Sequence, residues 1–183
     1  MNWMKKVAVA LVCLLPLGLQ AAKVDTLQVK SPSMNKSIEV VVVSPDVAAT
    51  KACPVIYLLH GYGGNARTWV GIKPDLSKIA DEKGIFFVCP DGKNTWYWDS
   101  PLNADVRYET FISDELVKYV DSHYKTVADR KGRAITGLSM GGHGAMWNGL
   151  RHSDVFSAAG STSGGVDIRP FPKNWEMSVQ IGE

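Results

Sequence analysis

The chain has 183 residues, of which 45% are apolar and 21% charged, with 20 Lys and Arg against 18 Asp and Glu. That composition is ordinary for a globular protein and excludes a disordered one. Nucleic acid is bound by clustered Lys and Arg, which this near-neutral balance does not provide, so no nucleic-acid partner is expected.

Residues 1–22 have the layout of a secretory signal peptide. Lys5 and Lys6 form a basic start, an apolar run over residues 7–19 is broken by Pro16, and Gln20-Ala21-Ala22 supplies small residues for cleavage. A membrane-spanning helix needs about 20 apolar residues, so no stable membrane anchor is expected after cleavage. Removal of this segment takes away two lysines and no acid, which leaves residues 23–183 formally neutral. The expectation is a secreted or periplasmic single domain.

Residues 27–30 and 37–43 read as two strands joined by a polar turn. Residues 54–59 and 85–88 are continuous apolar runs, as expected of strands covered on both faces. Between them, residues 76–82 read as a helix that ends at Lys83-Gly84. The region 90–107 is long and irregular and carries Trp96, Tyr97 and Trp98; loops of that length are often functional. Residues 109–124 form an amphipathic helix, with Phe111, Ile112, Leu116, Val120 and Tyr124 at helical spacing. A strand at 133–137, a helix at 141–151 and a strand at 156–160 follow. Strands alternate with helices, which predicts an α/β fold with a mostly parallel sheet sandwiched by helices. Cys53 starts one strand and Cys89 ends another, so parallel alignment separates them by about 20 Å and predicts two free thiols.

The chemistry concentrates at Gly137-Leu138-Ser139-Met140-Gly141, between a strand and a helix. A nucleophilic oxygen must be exposed, rigid and close to backbone N–H groups. A tight strand-to-helix turn achieves this, and its crowding leaves room only for glycine two positions to either side. The Met140 amide and the helix N-terminus then face the developing oxyanion. Strand 54–59 runs into His60-Gly61-Tyr62-Gly63-Gly64, which suits a loop that supplies the second oxyanion donor, the Tyr62 amide; His60 braces that loop. Gly61 to Ala66 also matches the G-x-G-x-x-A dinucleotide fingerprint. It does not open the first βαβ unit, however, the next acidic residue after a strand lies about 30 residues on, and a nucleotide site would leave the serine corner without a role. No metal-ligand spacing is present and no cofactor is expected. Glu109, Glu115, Asp121 and Asp129 read as solvated or structural groups around the long helix.

LLHGYGG, VCPDGKNTWYWDSP, RYETFISDEL, ADRKGRAITGLSMGGHGA and RHSDVF together resemble the esterase D family of α/β-hydrolases, which includes feruloyl esterases, acetyl xylan esterases and S-formylglutathione hydrolases. The resemblance runs from about Val40 to the end of the chain. It implies an α/β-hydrolase fold, a Ser-Asp-His triad and an acyl-enzyme on Ser139, with Tyr62 and Met140 as oxyanion donors. It also implies that Trp96, Tyr97 and Trp98 lie near the active site, where their rings could stack on a sugar or an aromatic acyl group. The expected partner is a small-molecule or polysaccharide ester. In this fold the acid and the histidine follow the serine, yet only 44 residues follow Ser139. His143 and His152 both lie on the helix that starts at the serine, where the family does not place its base. The sequence therefore reads as the N-terminal two-thirds of the fold, without its last strands, and its own turnover is expected to be weak. An acyltransferase on the same scaffold and a non-catalytic carbohydrate-binding remnant are the alternative readings.

Overall fold

The computed structural model describes residues 22–171 and 173–181, so all but the last residue of the predicted signal peptide lies outside the described residues. In chain order the elements are β1 (Lys23–Ser31), β2 (Lys36–Ser44), β3 (Val55–Leu59), α1 (Thr68–Ile72), α2 (Leu76–Lys83), β4 (Phe86–Pro90), α3 (Tyr108–Thr110), a π-helical stretch Phe111–Glu115, α4 (Leu116–His123), β5 (Arg133–Gly137), α5 (Met140–Arg151), β6 (Ala158–Ala159) and α6 (Met177–Ile181). The six strands form one mixed sheet in the order β1-β2-β4-β3-β5-β6. The β1/β2 and β2/β4 pairs are antiparallel, whereas β3 pairs in parallel with β4 and β5, and β5 with β6.

Side-chain alternation divides the sheet's two faces. On one face Val40, Val42, Tyr57, Leu59, Phe86, Val88 and Ile135 pack with residues of α3, α4 and α5. On the other, Val41, Val43, Leu58, Phe87 and Cys89 pack with Leu76 and Ala80 of α2. The central strands are thus apolar throughout because both faces are covered. Helix α2 stops where Gly84 takes a left-handed conformation, φ 63°, and its N–H caps the Ala80 carbonyl. Cys53 and Cys89 are both buried free thiols.

Two expectations need correction. The helix predicted at 109–124 is continuous but not uniform. Ser113 Oγ donates to the Glu109 carbonyl at 2.6 Å, occupying the acceptor that α-geometry assigns to the Ser113 N–H, and the π-helical stretch spans this point. The strand predicted at 156–160 shrinks to two exposed alanines, because Phe156 turns inward against Tyr57 at a ring separation of 5.7 Å. The glycine-rich segment 160–165 follows β6, with residues 161–163 exposed. Its Thr162 is bonded into the serine corner, accepting from Ser139 N–H and donating its own N–H to the Gly137 carbonyl, both at 2.9 Å.

Candidate active site

At the end of β5 the chain reverses in one residue. Ser139 has φ 53° and ψ −120°, a region that non-glycine residues enter only under strain, and α5 begins at Met140. The corner is sealed by backbone. A Cβ on Gly137 would lie 2.3 Å from the Gly141 carbonyl oxygen, and one on Gly141 would lie 2.2 Å from that of Leu59. Glycine is thus required on both sides of Ser139 by contact with β3, and the Ser139 side chain is left exposed to solvent. The Ser139 amide is used by Thr162, while Met140 occupies the first helical position, where an N–H has no intrahelical acceptor.

The loop after β3 lies directly against this corner. A Cβ on Gly61 would stand 2.9 Å from Leu138 Cδ1 and 3.4 Å from Ser139 Cβ. Gly64 N–H closes a turn on the Gly61 carbonyl at 3.0 Å. Gly63, at φ 77°, donates to Asn94 Oδ1 at 2.8 Å. His60 is buried beneath the loop. Its Nε2 accepts from Gly92 N–H at 2.9 Å, so the ring proton sits on Nδ1, which donates to the Gly61 carbonyl at 2.7 Å. Both ring nitrogens are therefore committed to bracing the loop. Asp91 backs this arrangement. Burial raises its pKa, but Lys93, whose ammonium and backbone N–H both reach the carboxylate, outweighs that and holds it low.

Tyr62, Trp96, Ser139, Ser163, Gly164, Gly165 and Trp175 line one pocket of about 180 Å³. It brings together the predicted nucleophile, the residue carrying the second predicted oxyanion amide and one predicted aromatic. Tyr97 and Trp98 do not line it. Tyr97 is fully enclosed, with its hydroxyl donating to the His60 carbonyl at 3.1 Å, and Trp98 is 3% exposed, stacked on Trp96. The region 90–107 folds inward because its rings are its main apolar content, so these two pack the loop onto the domain and present no face to a ligand beside Ser139. Trp175 and the Ser163–Gly165 wall escaped sequence reasoning. Gly164-Gly165 after a strand was a visible signal, whereas nothing in the pattern around Trp175 brings it to Ser139.

Each of the four histidines is engaged elsewhere. His60 braces the loop after β3, and His123 Nδ1 lies 2.8 Å from the Tyr119 carbonyl. His143 is buried with Nδ1 2.8 Å from the Gly165 carbonyl, and His152 Nε2 is 2.8 Å from Glu109 Oε1. Asp99 accepts from Thr110 N–H and Oγ1, and Asp167 pairs with Arg169. No imidazole is hydrogen-bonded to Ser139 Oγ among the described residues. Nor do they contain a cluster of His, Cys, Asp or Glu suited to a metal ion. The acids around the long helix are structural. Glu109 is 8% exposed and accepts from Trp147, Arg151 and His152; Glu115 accepts from Ser31 and Ser33; Asp121 pairs with Arg133; and Asp129 caps Lys131 N–H.

A family model described as "Putative esterase" matches residues 31–180. An esterase of Mycobacterium tuberculosis (strain ATCC 25618 / H37Rv) is 31% identical over 149 residues, covering 78% of this chain and 32% of the relative. A diacylglycerol acyltransferase/mycolyltransferase of Mycobacterium leprae is 32% identical over 158 residues, covering 79% of this chain and 44% of the relative. Among solved structures, a ferulic acid esterase superposes with a TM-score of 0.73 at 30% identity, over 88% of this chain and 68% of that one. The chain thus spans about a third to a half of the length of these two curated relatives.

Proposed function

The chain belongs to the esterase family of that model, and from this premise we propose that it carries the nucleophile and oxyanion half of a serine carboxylic-ester hydrolase acting outside the cytoplasm. The observation that carries the reading is Ser139, exposed at a strained strand-to-helix corner and sharing one pocket with Tyr62. In this mechanism Ser139 Oγ attacks an ester carbonyl, forming a C–O bond while its proton passes to a base. The Tyr62 and Met140 amides receive the oxyanion. The alcohol then leaves, and water cleaves the acyl-enzyme. Losing one oxyanion donor typically costs about 3 kcal/mol of barrier. The similarity to a ferulic acid esterase supports carbohydrate-linked aromatic or short acyl esters as substrates, and export follows from the signal-like residues 1–22.

No imidazole stands against Ser139 among the described residues, so this 183-residue chain should turn over p-nitrophenyl acetate barely above a Ser139→Ala control while slowly accumulating an acyl adduct on Ser139. Intact-mass analysis with peptide mapping reads the adduct. Robust turnover would overturn the inference that the base is missing from the site, and no adduct on Ser139 even with an activated ester would overturn the esterase reading. Acyl transfer to a sugar acceptor is a second reading, supported by the similarity to a mycolyltransferase. Product analysis with and without acceptor separates transfer from hydrolysis.

A further inference from the structure

His143 is used by nothing in the mechanism above, yet it is the best-enclosed imidazole near the pocket after His60. It lies one turn into α5, 7% exposed, with Trp96 and Trp98 edge-on at 5.2 and 5.1 Å and Trp147 stacked at 6.1 Å. Nδ1 is 2.8 Å from the Gly165 carbonyl, which can only accept, so Nδ1 carries the proton. Nε2 is then a bare acceptor, and it is buried without a partner. Asp99 and Arg151 line the same 550 Å³ hollow as the ring, but Asp99 is bonded to Thr110 and Arg151 to Glu109. Burial lowers the imidazole pKa, against the raising effect of the Gly165 bond, which favours the neutral ring.

An unpartnered buried nitrogen is a cost that phenylalanine would not carry in the same aromatic cage. What the imidazole gains in return is its bond to Gly165. That carbonyl belongs to the wall facing Ser139, since Ser163, Gly164 and Gly165 line the pocket with Ser139 and Trp96. Backbone bonds fix Thr162 onto the corner, whereas Gly165, three residues on, is tied to α5 by the His143 side chain. A Cβ on Gly164 would stand 2.9 Å from His143 N, and one on Gly165 3.2 Å from Trp96 Cζ3.

We propose that His143 is a positioning residue: its imidazole, donating from Nδ1 to the Gly165 carbonyl, fixes the Ser163–Gly165 wall and so sets the size of acyl group that Ser139 accepts. The selectivity part rests on the esterase reading; the tether does not. His143→Phe keeps the cage and removes the tether, and His143→Gln retains an amide donor that can reach for the same carbonyl.

Nitrogen-15 NMR of the imidazole should show the Nδ1–H tautomer in the wild-type chain. In His143→Phe the Gly164 and Gly165 amide resonances should shift, and single-turnover acylation should change its cinnamoyl-to-acetyl rate ratio about tenfold toward the larger ester. His143→Gln should recover most of that ratio. An Nε2–H tautomer overturns the proposal, as do unmoved glycine amides, or an unchanged ratio in a folded His143→Phe. If neither ester acylates the wild-type chain, the esterase reading and its selectivity corollary fail, and the NMR results alone decide the tether.

Discussion

On the oxyanion flank of Ser139, backbone meets backbone. Gly137 and Gly141 sit where the end of β3 and the start of α5 press together, Gly61 lies against the side chains of Leu138 and Ser139, and the loop above them is tied down by His60, Asn94 and Tyr97. On the opposite flank, beyond β6, Gly164 presses against the backbone of α5, and the rest of the wall is a loop closed by a few side-chain contacts: His143 to Gly165, Trp96 Nε1 to the Trp175 carbonyl at 3.1 Å, and Ser100 Oγ to the Gln180 carbonyl. Val166 and Trp175 on this side are 68% and 48% exposed. The first flank has the rigidity that stabilising a developing charge requires, because dipoles that need not reorganise are worth most. The second is the adjustable side, where acyl shape would be read. Among the described residues no imidazole from it is hydrogen-bonded to Ser139 Oγ.

The sharpest way to break this contrast is to place a methyl group on each flank. Gly141→Ala drives a Cβ to 2.2 Å from the Leu59 carbonyl oxygen, with backbone on both sides and nothing free to move. We expect a loss of about 3 kcal/mol or more, or failure to fold. Gly160→Ala, beyond β6, puts its Cβ 3.0 Å from Thr136 Oγ1, a side chain that can turn; the loss should stay below about 1 kcal/mol. Urea denaturation of the two variants compares them directly, and equal losses would remove the distinction between the flanks.

The next test lies under the adjustable flank. Glu109 collects Trp147 Nε1 on Oε2, and Arg151 Nε and His152 Nε2 on Oε1, so one buried carboxylate anchors the C-terminal half of α5, including Trp147, which stacks on His143. Burial raises its pKa, but the bonds from Arg151, Trp147 and His152 prevail and hold it low. Glu109→Gln turns an NH₂ toward donors and removes the charge that Arg151 faces. A cost of about 2 kcal/mol is expected, visible as a melting temperature about 4–8 °C lower. A neutral result would mean that the cluster is as solvated as a surface pair.

The two flanks were not equally legible in the sequence. The glycine packing of the first flank was legible because crowded backbone demands glycine, and glycine at fixed offsets around Ser139 and after strand β3 is readable from one chain. The strands were legible for a related reason, since burial on both faces leaves uninterrupted apolar runs such as residues 55–59. The adjustable flank depends on which face of a ring points where. Trp96, Tyr97 and Trp98 are neighbours in sequence, yet only Trp96 reaches the pocket, because the two consecutive left-handed residues Trp96 and Tyr97 turn the loop inward. Trp175 arrives from a segment without periodicity, and the role of Glu109 needed three donors from a helix some 40 residues away to be seen together. Local steric demands leave a mark at fixed spacing; long-range side-chain convergence does not.

The smallest expected effect sharpens the contrast through acid. Asp91 lies beneath His60 and pairs with Lys93, 2.6 Å from its Nζ, and its folded-state pKa of about 2 lies below the roughly 3.9 of an unfolded aspartate. A carboxylate depressed in this way contributes stability that is fully present above about pH 4 and is lost as pH falls through about 2. Allowing for screening by solvent, the contribution is on the order of 1 kcal/mol. Asp167, on the other flank, is also lowered, by its bond to Arg169, but it is open to water and that pairing should add nothing measurable. Stability measured by denaturant titration from pH 5 to pH 2 should therefore fall less steeply in Asp91→Asn than in the wild-type chain, while Asp167→Asn should follow the wild-type curve. If Asp91→Asn also follows it, the charge under the oxyanion loop is incidental, and the rigidity of that flank comes from its glycine packing alone.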